Sequence, residues 1–166
     1  MRCAFQDRRT LYLCMDYYEG ADLRYHICQN KLQFTEEMIS TLPLPEFMAA
    51  CLLLSLEYVH GKNIIHRDVK PENLVFDKEG YLHLTDFGIS RVMTTNNNKD
   101  TSGTPAYLAP EVMEKRNHGF SVDFYALGVI MFEMSMGKVG FLSPSDLILG
   151  EIAKKSTIRW LTTQHY

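Results

Sequence analysis

The stretch that decides the fold is "NIIHRDVKPENLVF", residues 63–76, which holds three polar side chains at a fixed spacing. Asp68 comes first, Lys70 follows two residues later, and Asn73 follows five residues later. Apolar residues close both ends, since "II" precedes the polar groups and "LVF" follows them. This pattern indicates a loop that is anchored at both ends and holds its polar groups in one place.

The flanking sequence predicts a helix before this loop and a β-hairpin after it. Residues 46–60 form the helix, because Pro45 suits a first turn and Gly61 supplies a C-terminal stop. Apolar residues lie on nearly every face of the helix, which predicts burial inside a larger domain. The hairpin covers residues 74–84, "LVFDKEGYLHL", and the segment "TDFG" with Asp86 follows it.

The remaining chain contains fewer decisive signals. Residues 10–18, "TLYLCMDYY", predict a strand after a turn at "QDRR", so the chain opens inside a hairpin. A short helix is expected near "LRYHI", and residues 121–134 predict a second apolar helix. The pattern weakens after it, so we divide the chain into a partial domain, residues 1–137, and a divergent tail, residues 138–166.

Composition and charge exclude several classes of protein. The chain is 46% hydrophobic and 22% charged, which is ordinary for a soluble globular protein. Its net charge of -3 gives no reason to expect nucleic acid as a partner. The longest apolar runs, "AACLLLSL" and "FYALGVIMF", are too short to span a bilayer. We therefore expect an intracellular protein, cytoplasmic or nuclear, with no membrane segment.

The four cysteines lie in the first third of the chain, and none forms a CxxC pair. Metal and disulfide chemistry are therefore not expected. The pattern favours buried free thiols in a reducing compartment.

The polar residues of the central loop point to phosphoryl transfer. The predicted hairpin brings Asn73 and Asp86 close together, and their oxygens suit Mg²⁺, which also shares substrate phosphates. Lys70 adds a fixed positive charge, and Asp68 is left to orient a hydroxyl and accept its proton. A metal, a cation and a base at one point match a reaction in which catalysis is mostly positioning and charge neutralisation.

Each of these features has an ordinary structural explanation when it is taken alone. Asp-x-Lys is typical of a surface salt bridge, "DFG" of a turn, and asparagine after glutamate of a cap. Their joint occurrence in this order and at this spacing favours a functional site.

At this point the chain resembles a known family. "HRDVKPEN", "DFG" and "GTPAYLAPE" are similar to the catalytic loop, the metal-binding motif and the end of the activation segment of eukaryotic protein kinases. "YLCMDYYEGADLRYHI" further resembles the cAMP-dependent kinase group and its YANK-like relatives. The resemblance implies an α+β, protein-kinase-like fold with a mostly helical large lobe and with the small lobe largely absent.

The resemblance implies roles for the catalytic residues. Asp68 matches the catalytic base, and Lys70 matches the lysine that contacts the γ-phosphate. Asn73 and Asp86 match the Mg²⁺ ligands. Thr104 matches the threonine that bonds the base and the lysine in serine/threonine kinases.

A second set of residues matches the nucleotide-binding positions of the family. Met15 resembles the gatekeeper, and Asp16 to Tyr18 resemble the hinge whose backbone holds adenine. Asp22 matches the carboxylate near the ribose, and Val75 matches the apolar floor under adenine.

Further matches concern the substrate and the framework around the loop. Glu72 matches a residue that contacts an arginine of the substrate. Asp123 matches the aspartate that bonds the catalytic-loop backbone. His66 and Phe87 match two members of the hydrophobic spine of the active state.

Four residues have implied regulatory roles. Arg67 matches the arginine that pairs with a phosphorylated activation segment, and Thr101 and Ser102 are candidate phosphosites. Asp100 is a fixed carboxylate that could replace the phosphate as the partner of Arg67. An ordinary solvated loop acid is the alternative for Asp100.

These matches predict a serine/threonine protein kinase that transfers the γ-phosphate of MgATP to hydroxyl groups of protein substrates. The chain has no GxGxxG motif and no VAIK-type lysine ahead of the hinge, so we expect it to be weakly active or inactive alone. The alternative is a non-catalytic, truncated or pseudokinase-like binding module. The presence of both Asp68 and Asp86 favours catalysis.

Overall fold

The computed structural model describes residues 2–29, 44–97 and 101–136. These residues form six short strands and four helices, together with two 3₁₀ turns at Pro71–Asn73 and Pro105–Tyr107. The strands are β1 (Cys3–Gln6), β2 (Leu11–Cys14), β3 (Ile64–Ile65), β4 (Leu74–Phe76), β5 (Leu82–Leu84) and β6 (Arg91–Val92). The helices are α1 (Leu23–Gln29), α2 (Leu44–Gly61), α3 (Pro110–Met113) and α4 (Ser121–Met136). This mixture agrees with the expected α+β class.

The core lies where α2, α4, α1 and the β4–β5 hairpin meet. Apolar side chains from all four elements are buried here, and Leu56 of α2 has no exposed surface. The cluster consists of Leu23, Met48, Leu52, Leu56, Val69, Leu74, Leu82, Tyr107, Ala126, Val129, Ile130 and Met134. It lies directly beneath the loop of residues 63–76, so the loop rests on a packed base.

Helix α2 is not buried on every face, which corrects the prediction from its composition. Leu54 is 65% exposed and Tyr58 is 69% exposed, while Leu52 and Leu56 on the opposite side are buried. The described residues cover only the inner face of the helix. An apolar composition therefore predicted the helix correctly but overestimated how much of it is covered.

The predicted hairpin of residues 74–84 is confirmed as β4 and β5, which pair antiparallel with Val75 opposite His83. The Asp77 carboxylate closes the turn, because its Oδ1 accepts hydrogen bonds from the backbone N–H groups of Glu79 and Tyr81 at 3.0 and 2.8 Å. Gly80 has φ of +89°, a conformation that favours glycine.

The segment after β2 pairs with this hairpin and brings the predicted hinge close to the catalytic loop. The Gly20 N–H donates to the Phe76 carbonyl at 2.9 Å, and a Cβ at Gly20 would lie only 2.5 Å from that oxygen. Asp22 forms an isolated bridge with Val75. Glycine is thus required at position 20 because two backbones approach closely.

No sequence pattern points to the pairing of β3 with β6. Ile64 lies opposite Val92, and Ile65 lies opposite Arg91. Two-residue strands are too short for a periodicity to reveal them. Their pairing joins the start of the catalytic loop to the segment that follows "DFG".

The expected hairpin at the start of the chain is present as β1 and β2, with Asp7 accepting backbone hydrogen bonds in the turn. Every residue of both strands is exposed. The expectation of buried thiols is therefore wrong for Cys3, Cys14 and Cys28, which are exposed, and Cys51 is only partly buried. Cys3 and Cys14 are exposed because no described element covers either face of the hairpin, whereas Cys28 lies on an exposed position of α1.

Two remaining expectations concern the whole chain. None of the helices within the described ranges is both long enough and apolar enough to cross a membrane. The predicted tail, residues 138–166, and the boundary at residue 137 lie outside the described residues and stay predictions.

Candidate active site

Four of the predicted catalytic side chains meet at the Asp68 carboxylate. Lys70 Nζ lies 2.7 Å from Asp68 Oδ2, and Thr104 Oγ1 donates to Oδ1 at 2.7 Å. Asn73 Nδ2 donates to Oδ2 at 3.1 Å and to the Asp68 carbonyl at 2.9 Å. Lys70 Nζ also donates to Thr104 Oγ1 at 3.0 Å, which closes the ring. Residues that lie up to 36 positions apart in the sequence therefore form one site.

These contacts determine the charge of Asp68. Burial alone would raise the pKa of this carboxyl, but hydrogen bonds from Lys70, Thr104 and Asn73 outweigh burial and lower it. Asp68 is consequently a carboxylate at neutral pH, with both oxygens held in place. Such a group can accept a hydrogen bond from a hydroxyl and take its proton as the reaction proceeds.

Asp123 of α4 holds the backbone of the catalytic loop. Its Oδ2 accepts from the His66 N–H at 2.9 Å, and its Oδ1 accepts from the Arg67 N–H at 2.8 Å. Its Oδ2 also lies 2.8 Å from His60 Nε2. Arg67 has φ of +71°, an uncommon conformation for a residue with a side chain. The buried carboxylate thus stabilises a strained turn immediately before Asp68.

His66 is fully buried behind the same loop. Its Nε2 lies 3.1 Å from the Thr85 carbonyl, and its Nδ1 accepts from the Asp68 N–H at 3.3 Å. These partners require a neutral ring that carries its proton on Nε2. Burial lowers the pKa of His66, and the opposing effect of Asp123 is smaller. The ring packs edge-on against Phe87, with 4.8 Å between the ring centroids.

Asp86 is joined to Asn73 through the residue between the hairpin and "DFG". The N–H and Oγ1 of Thr85 both donate to the Asn73 carbonyl, at 2.9 and 3.0 Å. Asp86 is exposed, has φ of +59°, and accepts from the Gly88 N–H at 3.0 Å through Oδ1. The hairpin therefore places the two predicted Mg²⁺ ligands at adjoining points of the backbone.

The donor set fits a magnesium ion. Asn73 uses Nδ2 to bind Asp68, which leaves its Oδ1 for a cation, and Asp86 has an oxygen that does not bond Gly88. Within the described ranges, no three His, Cys, Asp or Glu residues cluster as a protein-only metal site. Two oxygen ligands suit Mg²⁺, because this ion keeps several waters and shares phosphate oxygens.

The predicted adenine contacts lie on an open surface. Met15 is 68% exposed, and the Asp16 carboxylate accepts from Arg2 Nε at 2.7 Å. The Tyr18 ring stacks on His83 with 4.5 Å between centroids, which fixes the end of the hinge on the β4–β5 hairpin.

Two other predicted nucleotide contacts are occupied with holding the fold together. Asp22 Oδ1 accepts from the Tyr25 N–H at 2.8 Å and so caps α1, while its backbone bridges to Val75. The predicted contacts of Asp22 with ribose and of Val75 with adenine stay predictions.

Glu72 already has a cationic partner in the chain. Arg24 Nε donates to Glu72 Oε1 at 2.9 Å, and the other guanidinium nitrogens contact Glu133 and Tyr107. The sequence contained no sign of this contact, because Arg24 lies 48 residues before Glu72 and 109 residues before Glu133. Only the folded chain brings these groups together.

Arg67, one of the predicted regulatory residues, binds the segment that follows "DFG". Its Nε donates to the Ile89 carbonyl at 2.7 Å, and Thr101 and Ser102 are exposed. Asp100 lies outside the described residues. Gly103 has φ of +139°, and a Cβ there would lie 2.9 Å from the Arg67 carbonyl, so this part of the segment runs close against the catalytic loop.

Replacing Asp123 with alanine tests the framework of the loop. We expect Asp123→Ala to lower the free energy of unfolding by about 3 kcal/mol, because two buried backbone N–H groups lose their acceptor. Urea denaturation measures this change. Glu114→Ala removes an exposed ion pair, in which Glu114 Oε2 lies 2.6 Å from Arg116 Nε, and should change the free energy of unfolding little. Equal midpoints for both variants would contradict the role of Asp123.

The buried neutral His66 makes stability depend on pH. Its pKa is lowered in the fold, so acidification protonates the unfolded chain first and stability falls as the pH drops below about 6.5. We expect urea midpoints measured between pH 7 and pH 5 to fall more steeply for the natural chain than for His66→Phe. The same slope in both proteins would assign the pH dependence to other groups.

Comparison with known proteins agrees with this geometry. A family model described as protein kinase domain matches residues 1–165. Protein kinase 3 of Dictyostelium discoideum is 40% identical over 84% of this chain and 16% of that protein. Human RAC-beta serine/threonine-protein kinase is 36% identical over 98% of this chain and 33% of that protein. The cAMP-dependent protein kinase catalytic subunit of Dictyostelium discoideum is 39% identical over 81% of this chain and 19% of that protein. The chain spans about a third or less of these relatives. From its motifs, its fold and this match, the chain belongs to the protein kinase domain family.

Proposed function

We propose that the chain carries the catalytic and metal-binding half of a serine/threonine protein kinase. The observation that supports this most strongly is the closed ring of Asp68, Lys70 and Thr104, with Asn73 on its edge. Relatives that are named serine/threonine kinases, such as RAC-beta kinase, match almost the whole chain. The substrates on this proposal are ATP and the hydroxyl groups of serine and threonine in proteins.

Each side chain of the ring has one task in this reaction. Asp68 accepts a hydrogen bond from the attacking hydroxyl, orients it toward the phosphoryl group and takes its proton late. Lys70 supplies positive charge where negative charge develops on the transferred group. Thr104 ties Asp68 and Lys70 together, so that neither side chain must be ordered when a substrate arrives.

Asn73 and Asp86 would hold Mg²⁺, which neutralises phosphate charge when it is bound. The backbone supports this pair, because Thr85 ties the residue before Asp86 to the Asn73 carbonyl through two hydrogen bonds. Met15, at the predicted nucleotide side of this site, is exposed in the described part of the chain.

Titration of the 166-residue chain with MgATP in a calorimeter tests the metal and nucleotide site. We expect Asp86→Ala to weaken binding by about tenfold or more, the size of effect that metal sites show when a supporting partner is lost. Glu79→Ala, an exposed acid in the β4–β5 turn, is the matched control and should bind as the natural chain does. Titration with ATP in EDTA should give the weak affinity of Asp86→Ala.

The transfer step is measured next with radiolabelled ATP and a serine peptide. Asp68→Asn should lower any transfer by about 100-fold, since it removes the base and keeps the shape of the side chain. Binding that depends on Asp86 without transfer by the natural chain would favour the binding-module alternative. No binding by a folded chain would contradict the proposal for this chain.

A further inference from the structure

Two acidic side chains and a tyrosine hydroxyl beside the catalytic loop form a cradle, which we define as Glu72, Glu133 and Tyr107. Glu72 belongs to the 3₁₀ turn that also contains Asn73, and Tyr107 ends the 3₁₀ turn that begins directly after Thr104. The first turn therefore contains one member of the catalytic cluster and one of the cradle, and the second turn contains a cradle member and directly follows a catalytic one. Whatever occupies the cradle lies on the same side of the protein as the catalytic cluster.

The cradle is built for a guanidinium group. The side chain of Glu133 is only 2% exposed, whereas that of Glu72 is 44% exposed, so one carboxylate is buried and the other reaches the surface. Tyr107 donates to Glu133 Oε2 at 2.7 Å and accepts a hydrogen bond from the guanidinium. Two carboxylates and a hydroxyl that surround a planar fork match arginine better than lysine, which is a point charge.

The present occupant is the chain's own Arg24, which reaches the cradle from α1. Its Nε donates to Glu72 Oε1 at 2.9 Å, its Nη1 donates to Glu133 Oε1, and its Nη2 donates to Tyr107 and lies 3.4 Å from Glu133 Oε2. Burial opposes the charge of Arg24, but the hydrogen bonds that it donates to Glu133 and Glu72 outweigh burial, and its pKa is raised. With Arg24 in place, two negative charges are offset by one positive charge.

We propose that Arg24 is an internal occupant that closes a guanidinium site beside the catalytic loop, so that this protein does not use Glu72 and Glu133 to select arginine in its substrates. An incoming arginine would have to displace Arg24 from the buried Glu133, and it would gain no contact that Arg24 does not already make. The specificity part of this inference rests on the proposed kinase function. The occupied cradle itself does not depend on it.

Chemical rescue of the 166-residue chain tests the cradle without any measurement of catalysis. Arg24→Ala should lower the melting temperature, and millimolar methylguanidinium should restore it, because the added ion binds the empty cradle. Methylammonium at the same concentration should have little effect. The natural chain should respond to methylguanidinium at least about tenfold more weakly than Arg24→Ala, because Arg24 already fills its cradle. The double variant Arg24→Ala/Glu72→Gln should respond as weakly, because its cradle has lost a charged acceptor.

Equal responses of Arg24→Ala to methylguanidinium and methylammonium would overturn the proposal, as would an equal response of the natural chain. If Arg24→Ala fails to fold, NMR of the natural chain tests whether Arg24 occupies the cradle. The guanidinium N–H signals of Arg24 should exchange slowly with water and show hindered rotation, whereas those of Arg8, an exposed residue in the β1–β2 turn, should not. Free rotation of the Arg24 guanidinium would contradict occupancy. Failure of the transfer assay would leave both measurements interpretable.

The thiols of the β1–β2 hairpin carry a second, independent inference. Cys3 and Cys14 lie directly opposite each other in the antiparallel pair, and both are exposed. Opposed residues of such a pair have Cα atoms about 4.5–5.5 Å apart, which is inside the range that a disulfide spans. A hydrogen bond with Cys3 raises the pKa of the Cys14 thiol, and the strand register places the two side chains side by side.

We infer that Cys3 and Cys14 form a reversible disulfide when the protein meets a peroxide. One thiolate attacks a peroxide oxygen, the O–O bond breaks, and a sulfenic acid and water form. The second thiolate then attacks that sulfur, the S–O bond breaks, and a second water leaves as the S–S bond forms. Two thiols are oxidised while hydrogen peroxide is reduced to two waters.

Mass spectrometry of the chain after mild hydrogen peroxide treatment tests this inference. Trypsin should release the peptide from Cys3 to Arg8 joined to the peptide from Thr10 to Arg24, and a phosphine reductant should separate them. Cys14→Ser should leave a sulfenic acid on Cys3 that dimedone traps. Linkage of Cys3 to Cys28 or Cys51 in equal yield, or oxidation of Cys28 with no Cys3–Cys14 link, would overturn it.

Discussion

The catalytic loop depends on one buried carboxylate. Asp123 accepts from two successive backbone N–H groups, and one of them belongs to Arg67, whose φ is +71°. A non-glycine residue in that region is uncommon and costs of order 1 kcal/mol or more, so it persists only where other contacts hold it. The conformation of this turn determines where the next residue, Asp68, is placed. The position of the predicted base is therefore decided by a residue of helix α4, 55 positions further along the chain.

A second constraint acts on the activation segment through Thr104. This residue bonds Asp68 and Lys70, and Gly103 before it passes so close to the Arg67 carbonyl that a Cβ would lie 2.9 Å away. The activation segment and the catalytic loop therefore pack together only when both have their observed backbone conformation. The same segment continues into Tyr107, which binds Glu133 of α4. Helix α4 thus holds the loop through Asp123 and the segment through Glu133.

The sequence predicted those parts of the structure that depend on local pattern. Proline and glycine marked the ends of α2, and the run "LVFDKEGYLHL" indicated the β4–β5 hairpin because its turn chemistry is local. The contact of Asp68, Lys70 and Asn73 also followed from their spacing within one loop. The exposed face of α2, by contrast, depends on which elements cover it, and composition does not encode that. The pairing of β3 with β6 was not predicted for a related reason, since it is determined by partners 26 and 28 positions away in the sequence.

The contact of Arg24 with Glu72 bears on the role that the motif implies for Glu72. The position of Glu72 in its motif implied contact with a substrate arginine, and that implication was reasonable for the isolated motif. The cradle, however, also requires Glu133 and Tyr107, and its charge balance depends on what else enters it. An arginine on α1 binds both carboxylates and reduces the net charge of the cluster from two negative charges to one. On this proposal, selection of arginine depends on four elements that meet in space, and a motif on one of them carries only part of that information.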